Sequence, residues 1–216
     1  MTALEYVHSL HLIHSDLKPE NILMKSYSRC EIKVIDFGSS CFTHDHLSSY
    51  VQSRSYRSPE VILGCSYDSR IDIWSLGCII PELFTGNVLF QNDTIQGLLA
   101  RIIGTCGPFP DHMFKGVQVH NFFTADKILY QEKTSSNRVA HLDPEMAEII
   151  ARSQKPKIEL MVPKKTNLKA RVRSDDPLFL DFIGSLLDVD YLRRPTAKEA
   201  LRHPWLTEAK YIDGLP

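Results

Sequence analysis

The chain has 216 residues, of which 43% are hydrophobic and 24% are charged, with a formal net charge of −1. This composition is typical of an ordinary globular protein, and the charge gives no global reason to expect nucleic acid or an anionic membrane as partner. The five cysteines include no CxxC pair and no signal peptide pattern opens the chain, so we expect no zinc site, no disulfide framework, and a cytoplasmic or nuclear location.

The first 60 residues predict a helix, a small hairpin and a loop. Apolar residues at helical spacing (Leu4, Val7, Leu10 and Ile13) predict an amphipathic helix. Two apolar runs, at 22–24 and 32–35, lie on either side of a polar stretch and predict a small β-hairpin. Residues 39–59 are rich in Ser, Thr, His and Arg without a period, which indicates a long surface loop.

Beyond this loop the apolar pattern is helical. Residues 73–83 predict a buried helix, 95–103 an amphipathic one that stops at Gly104, 178–187 a third, and 196–201 a short last one capped by Thr196. Several prolines predict an irregular segment over 105–175. Pro81 should either kink its helix or begin a new segment. We therefore expect a mainly α domain with a small β-hairpin.

Three short motifs carry chemistry and occur in a fixed order. HSDLKPEN at residues 14–21 is followed by DFG at 36–38 and by SPE at 58–60. Each motif alone is weak evidence for a family. The three motifs in this order, with two short predicted strands between the first two, are highly specific evidence. Here the chain resembles the eukaryotic protein kinases, whose HRDLKxxN, DFG and APE motifs follow one another at comparable spacing.

The resemblance implies phosphoryl transfer from ATP with Mg²⁺. Asp16 is expected to accept the proton of a substrate hydroxyl or to orient that hydroxyl. Lys18 is expected to offset negative charge on the moving phosphoryl group. Asn21 and Asp36 supply the oxygen ligands that Mg²⁺ prefers, so they form the implied metal site.

The resemblance also implies an adenine pocket. Leu23 is expected to form the floor under the adenine, with Ile35 just beside it, and Asp36 completes the predicted cofactor-binding residues. Ordinary packing in the core is the alternative interpretation for Leu23 and Ile35.

Other matches to the family are interpreted as structural. His14 and Phe37 are expected in the interior of the lobe, and Asp72 is expected to hold the backbone of the catalytic loop. Glu60 and Arg194 correspond to a buried ion pair, whose disruption leaves an uncompensated charge. The predicted structural residues are His14, Phe37, Gly38, Glu60, Asp72 and Arg194.

The sequence of the long loop indicates which group of protein kinases the chain resembles. Residues 48–60 read SSYVQSRSYRSPE, which is similar to the dual-specificity tyrosine-regulated (DYRK) family of the CMGC kinases. The run YDSRIDIWSLGC at 67–78 and a long insert at about 105–175 point the same way, and the phrase VPKKTNL at 162–168 favours a plant-type member.

The resemblance assigns a fold and boundaries. Residues 1–206 are expected to form the C-terminal lobe of a protein kinase-like fold, with a catalytic loop at 14–21, an activation segment at 36–60 and a tail at 207–216.

It further implies control by one tyrosine. Tyr50 is expected to be phosphorylated by the kinase itself, with Arg54 and Arg57 taking the phosphate. Arg57 is also expected to favour proline after the phosphoacceptor, so substrates would be proteins with Ser or Thr followed by Pro. Ser15 replaces the arginine of HRD, as in this family, and Ser48 replaces the first tyrosine of a Tyr-x-Tyr pair.

The sequence contains no GxGxxG loop and no lysine in a VAIK-like context. We therefore expect a fragment that lacks the N-terminal β-rich lobe and has negligible kinase activity alone, and a monomer. The alternative is a non-catalytic interaction protein that competes for kinase substrates or partners. A stand-alone nucleotide binder is disfavoured because the phosphate-binding loop is missing.

Two weaker patterns are not assigned a site. His44-Asp45-His46 is more typical of solvated surface than of a metal site. The segment 152–173 holds eight basic residues and one acid, Glu159, and is expected to be a solvated insert, although an acidic docking motif or nuclear import remains an alternative.

Overall fold

A computed structural model describes residues 1–45, 51–133 and 157–208. The predictions for Tyr50, Ser48, His46, residues 152–156 and the end of the tail fall outside the described residues. Within the described part, no helix is long and apolar enough to cross a membrane.

The described chain is mainly α-helical, as predicted. Its α-helices are α1 Thr2–Ser9, α2 Pro59–Leu63, α3 Arg70–Thr85, α4 Ile95–Cys106, α5 Leu168–Val172, α6 Pro177–Leu186, α7 Ala197–Ala200 and α8 Pro204–Thr207. Short 3₁₀ turns lie at Pro19–Asn21, Arg54–Tyr56, Asp111–Lys115 and Val119–Asn121.

The strands form three antiparallel pairs. Strands β2 (Ile22–Ser26) and β3 (Glu31–Val34) make the predicted hairpin, with Ile22 opposite Val34. Two further pairs were not predicted: β1 (Leu12–Ile13) with β4 (Cys41–Phe42), and β5 (Tyr130–Lys133) with β6 (Lys157–Leu160). The expectation of an irregular 105–175 segment is therefore wrong in part, because β5, β6 and α5 lie within it. Such short strands, paired between distant parts of the chain, leave almost no periodicity to detect.

Helix α3 lies at the centre of the core. Its buried side chains pack with those of α4 and α6, and Trp74 stacks on Phe90 with ring centroids 5.9 Å apart. Gly77 allows the close approach of α6, since a Cβ there would lie 2.9 Å from the Leu187 side chain. The helix continues through Pro81 to Thr85, so the expected new segment does not begin at the proline.

A buried ion pair joins α2 to the segment before α7. Arg194 Nη2 donates to Glu60 Oε2 at 3.0 Å, and both side chains are almost fully buried. Arg194 also donates to the Arg70 carbonyl at 3.0 Å and lies 5.0 Å from the ring centroid of Trp74. The guanidinium therefore connects α2, the start of α3 and the segment before α7.

Replacing Arg194 alone is expected to destabilise the fold. Arg194→Met should lower the free energy of unfolding by about 3–5 kcal/mol, because the Glu60 carboxylate stays buried without its partner. Urea unfolding followed by circular dichroism measures this change. The matched control is Arg193→Met, whose side chain is 76% exposed and pairs with Asp188 at 3.5 Å, with an expected change of at most about 1 kcal/mol.

A double variant, Glu60→Leu with Arg194→Met, should recover part of the loss because no buried charge remains. Equal effects of the two single arginine variants would contradict this account of the ion pair.

Candidate active site

The segment 14–21 is held at its start by a buried carboxylate on α3. Asp72 Oδ2 accepts from the His14 amide at 2.8 Å, and Oδ1 accepts from the Ser15 amide at 3.0 Å. His8 Nε2 lies 2.9 Å from Asp72 Oδ2, and the carboxylate is fully buried. Asp72 therefore fixes the backbone immediately before Asp16, in the position predicted from the sequence.

Asp16 lies between a lysine and a serine. Its Oδ2 accepts from Lys18 Nζ at 2.7 Å, and its Oδ1 accepts from the Ser53 amide at 3.0 Å and the Ser53 hydroxyl at 2.7 Å. The Asn21 side-chain amide donates to the Asp16 carbonyl at 2.9 Å. The structure thus brings three predicted residues together, and adds Ser53, which the sequence analysis did not single out.

These contacts decide the charge of the pair. Partial burial alone would raise the pKa of Asp16, but the hydrogen bonds and charge of Lys18, together with Ser53, outweigh it and hold the pKa below 3.8. The hydrogen bond to Asp16 raises the pKa of Lys18 above its ordinary value, against a smaller effect of burial. At neutral pH, Asp16 is therefore a carboxylate beside an ammonium group.

Asn21 and Asp36 lie at the same end of the hairpin. The Ile35 amide donates to the Asn21 carbonyl at 2.9 Å, which continues the β2–β3 pairing. Asn21 uses its NH₂ group on Asp16, and its Oδ1 makes no hydrogen bond among the described residues. Asp36 is exposed, with a left-handed backbone (φ 64°), and accepts weakly from the Gly38 amide at 3.3 Å.

These two oxygen donors fit a magnesium site in which the protein and the phosphates of a nucleotide share the ion. Magnesium usually takes one or two protein ligands and completes its shell with water and phosphate oxygens. In the described residues, no group of three or more His, Cys, Asp or Glu side chains could hold a metal by itself. The donors therefore suit an ion that arrives with phosphate rather than a closed protein cage.

The hairpin presents apolar side chains outward. Leu23 is 48% exposed, so ordinary packing in the core does not account for it, and Ile35 is half-buried. Met24 and Ile32 on the same hairpin are also more than two-fifths exposed. In the strand pairing Met24 lies opposite Ile32 and Leu23 lies opposite Lys33, so these exposed apolar side chains occupy both faces of the hairpin.

His14 and Phe37 differ in burial. His14 is fully buried and its Nε2 lies 2.9 Å from the Ile35 carbonyl. Phe37 contacts the edge of the His14 ring with centroids 4.9 Å apart but is 41% exposed. The prediction that Phe37 lies in the interior of the lobe is therefore wrong, since described residues leave about two-fifths of its side chain exposed to solvent.

Gln52 connects the segment after Tyr50 to the core. Its amide donates to the Ser15 carbonyl at 2.8 Å, and its Nε2 donates to Ser75 Oγ at 2.8 Å and to the Ile71 carbonyl at 2.9 Å. Its Oε1 accepts from the Ser58 amide at 2.9 Å. The sequence alone did not indicate a buried role for Gln52, since a glutamine in a polar loop is usually exposed. The available signal was its place in the QSRSYRSPE run.

The two predicted phosphate ligands are partly engaged with backbone. Arg54 Nη1 donates to the Asp93 carbonyl at 2.9 Å, and Arg57 donates to the carbonyls of Val51 (2.9 Å) and Gln52 (2.8 Å). Both line an open groove of about 580 Å³ that also contains Asp16. Tyr50 lies outside the described residues, so its contact with either arginine stays a prediction.

Comparison with known proteins identifies the family of this chain. The model of the family described as "Protein kinase domain" matches residues 1–206. The dual specificity tyrosine-phosphorylation-regulated kinase 3 of Rattus norvegicus is 38% identical over 209 residues, covering 97% of this chain and 35% of that protein.

Relatives from two other organisms show similar sequence identity to this chain. The putative dual specificity tyrosine-phosphorylation-regulated kinase 3 homolog of Drosophila melanogaster is 40% identical over 95% of this chain and 24% of its own length. The probable serine/threonine-protein kinase dyrk2 of Dictyostelium discoideum is 39% identical over 95% of this chain and 20% of its own length. The chain thus spans about a third or less of these relatives, and it belongs to the protein kinases, within the DYRK family of the CMGC group.

Proposed function

We propose that this chain supplies the phosphoryl-transfer lobe of a kinase that phosphorylates Ser and Thr of proteins and its own Tyr50. The observation that carries the proposal is the ionised Asp16, held by Lys18 and Ser53 beside an open groove. Phosphoryl transfer depends on positioning and charge neutralisation more than on covalent chemistry. This arrangement supplies both from side chains whose positions are fixed before substrate arrives.

Each residue has a distinct part in this mechanism. The Asp16 carboxylate orients the substrate hydroxyl and accepts its proton. Lys18, 2.7 Å from Asp16 Oδ2, places a positive charge where negative charge develops during transfer. ATP is the proposed phosphoryl donor, and a bound Mg²⁺ would neutralise the charge of its phosphates. Asn21 and Asp36 are the residues that would hold the ion.

The exposed apolar side chains of the hairpin support a larger active site. We assign Leu23 and Ile35 to the adenine pocket, and the neighbouring Met24 and Ile32 to contact with a further part of the kinase. The 216 residues contain no GxGxxG loop to grip the nucleotide phosphates. On this proposal, the isolated polypeptide transfers phosphate negligibly.

Arg57 supports a preference for proline after the phosphoacceptor. It lines the groove beside Asp16, and its guanidinium is bonded to the carbonyls of Val51 and Gln52. We propose that this groove takes Ser-Pro and Thr-Pro segments, in a monomeric kinase of the cytoplasm or nucleus.

The second candidate function is a non-catalytic one, in which the chain competes for the partners of a longer kinase. The exposed apolar hairpin favours it, because such a surface binds protein as readily as nucleotide. The kinase function requires Asp16 for phosphoryl transfer, whereas competition for partners does not require it.

The proposed function is tested by transfer of phosphate to a Ser-Pro peptide. The purified 216-residue chain should give no transfer above background. A chimera in which this chain replaces the aligned segment of the rat relative should transfer phosphate. Asp16→Asn in that chimera should lower the rate about 10²–10⁴-fold.

The matched control is Asp45→Asn, an acid that accepts from the Phe42 amide at 2.8 Å and lies outside the proposed mechanism. Activity of the isolated chain that Asp36→Ala abolishes would refute the fragment proposal. A chimera whose activity survives Asp16→Asn would refute the assignment of Asp16.

The ionisation of Asp16 gives a second test. Carbon NMR titration of the side-chain carboxyls should place its midpoint below 3.8. Lys18→Met should raise that pKa, because it removes the hydrogen bond and the nearby charge. A lowered native pKa means that the stabilising contribution of Asp16 is present above pH 3.8 and is lost as the pH falls through the native value.

Lys33→Met, on the exposed side of the hairpin, serves as the control and should leave the titration of Asp16 unchanged. A midpoint that Lys18→Met does not move would show that Lys18 does not set the charge of Asp16.

The role of Tyr50 is tested in the active chimera. Mass spectrometry should find phosphate on Tyr50, and Tyr50→Phe should reduce transfer to the peptide roughly tenfold because the loop loses its charge-assisted contacts. Tyr27→Phe, at a side chain 82% exposed on the hairpin, is the matched control. Full activity of Tyr50→Phe would remove the regulatory role from this tyrosine.

A further inference from the structure

Three arginines line a pocket outside the proposed active site. The pocket has a volume of about 460 Å³ and lies between the end of α3, the segment that follows it, α4 and α5. Arg101 comes from α4, Arg171 from α5, and Arg173 from the residue that ends α5. The pocket shares no lining residue with the groove beside Asp16.

The backbone of α5 positions two of these arginines, Arg171 and Arg173. Asn167 caps the start of α5 by accepting from the Ala170 amide at 2.8 Å. Arg173 ends the helix in a left-handed conformation (φ 57°), with its amide donating to the Lys169 carbonyl at 2.8 Å. Val172, between the two arginines, is fully buried. Arg171 Nη2 donates to the Leu89 carbonyl, which fixes its guanidinium at the pocket.

The positive charge of the pocket has no counterion on the described part of the chain. None of the three arginines forms an ion pair with a described carboxylate. The neighbouring Asp175 is engaged by Lys169 at 2.8 Å. Arg101 and Arg171 line the same pocket, and burial, followed by the charge of Arg101, lowers the pKa of Arg171. An anion in the pocket would offset the charge of both groups.

An apolar groove continues from the arginine pocket. It has a volume of about 450 Å³, and both cavities are lined by Phe84. Leu83 is 71% exposed and Phe84 is 58% exposed, while Phe179 and Trp205 also line the groove. Its polar lining consists of Ser174 and Asp176, whose carboxylate accepts from the Leu178 and Phe179 amides at the start of α6. A ligand that spans both cavities would place an anion beside an apolar side chain.

We propose that the arginine pocket binds the phosphate of a phosphorylated Ser or Thr in a protein segment, with a neighbouring apolar side chain of that segment in the groove. Guanidinium forks match phosphate oxygens, and a phosphate of charge about −1.5 to −2 neutralises more of three arginines than one carboxylate does. The site is a docking surface additional to the proposed transfer chemistry, and its occupation does not require Asp16.

Fluorescence anisotropy with the full 216-residue chain tests the proposal. The probe is a fluorescein-labelled octapeptide, Gly-Gly-Phe-Ala-pSer-Ala-Gly-Gly. Its versions with serine or glutamate in place of phosphoserine, and with alanine in place of phenylalanine, are compared with it. The phosphopeptide should bind roughly tenfold or more tightly than the serine version. The glutamate and alanine versions should fall between them.

Variants locate the binding. Arg101→Ala should weaken binding of the phosphopeptide about tenfold, and Arg101→Lys should recover only part of it, since lysine lacks the planar fork. Arg29→Ala removes the same charge from the hairpin, where Arg29 pairs with Glu31 at 3.1 Å, and should leave binding unchanged. Arg171 also donates to the Leu89 carbonyl, whereas Arg101 makes no hydrogen bond to a described residue, so Arg101 is the primary test. Thermal unfolding checks that each variant stays folded.

Three results would overturn the proposal. The serine peptide could bind as tightly as the phosphopeptide, which removes the role of phosphate. Arg29→Ala could weaken binding as much as Arg101→Ala, which indicates a general charge effect. Inorganic phosphate could displace the peptide as effectively, mole for mole, as unlabelled phosphopeptide, which makes the pocket a site for free phosphate and not for a protein segment.

Discussion

The position of the candidate active site depends on the hydrogen bonds that the Asp72 carboxylate accepts. This carboxylate is fully buried at the start of α3 and accepts from the amides of His14 and Ser15, with His8 as a third neighbour. A buried charge is stable only when its hydrogen bonds are satisfied, so the carboxylate imposes one position on this backbone. Because Asp16 follows directly, its place relative to the helical core is set by a residue that takes no part in the chemistry.

A second set of contacts brings the activation segment to the same point. Gln52 joins the Ser15 carbonyl to Ser75 of α3, and Ser53 donates twice to Asp16. The end of that segment is held by the buried pair of Glu60 and Arg194. The groove beside Asp16 is therefore built by two segments that are each attached separately to the core. Reactions that depend on positioning benefit from such attachment, because less freedom is lost when substrate binds.

Three surfaces of the chain suit three kinds of contact. The groove beside Asp16 combines a carboxylate with two arginines and suits an extended substrate segment. The hairpin around Leu23 exposes apolar side chains next to the oxygen donors of Asn21 and Asp36, as a nucleotide base and its phosphates require. The pocket of Arg101 and Arg171 is positive and lies beside an apolar groove. The proposed contacts with substrate, nucleotide and a docked partner therefore involve separate residues of this chain.

The sequence by itself determined the family and the main helices. Motif order predicts Asp16, Lys18 and Asn21 as the residues of the proposed transfer site, and helical periodicity predicts α3, α4 and α6 because their apolar residues are buried. Only the tertiary structure decided which side chains meet across long distances in the chain. It placed Ser53 on Asp16, buried Gln52, left Phe37 exposed, paired β5 with β6, and brought Arg101 and Arg171 to the same pocket. Local patterns carry no record of such pairs, since each depends on how separate elements pack.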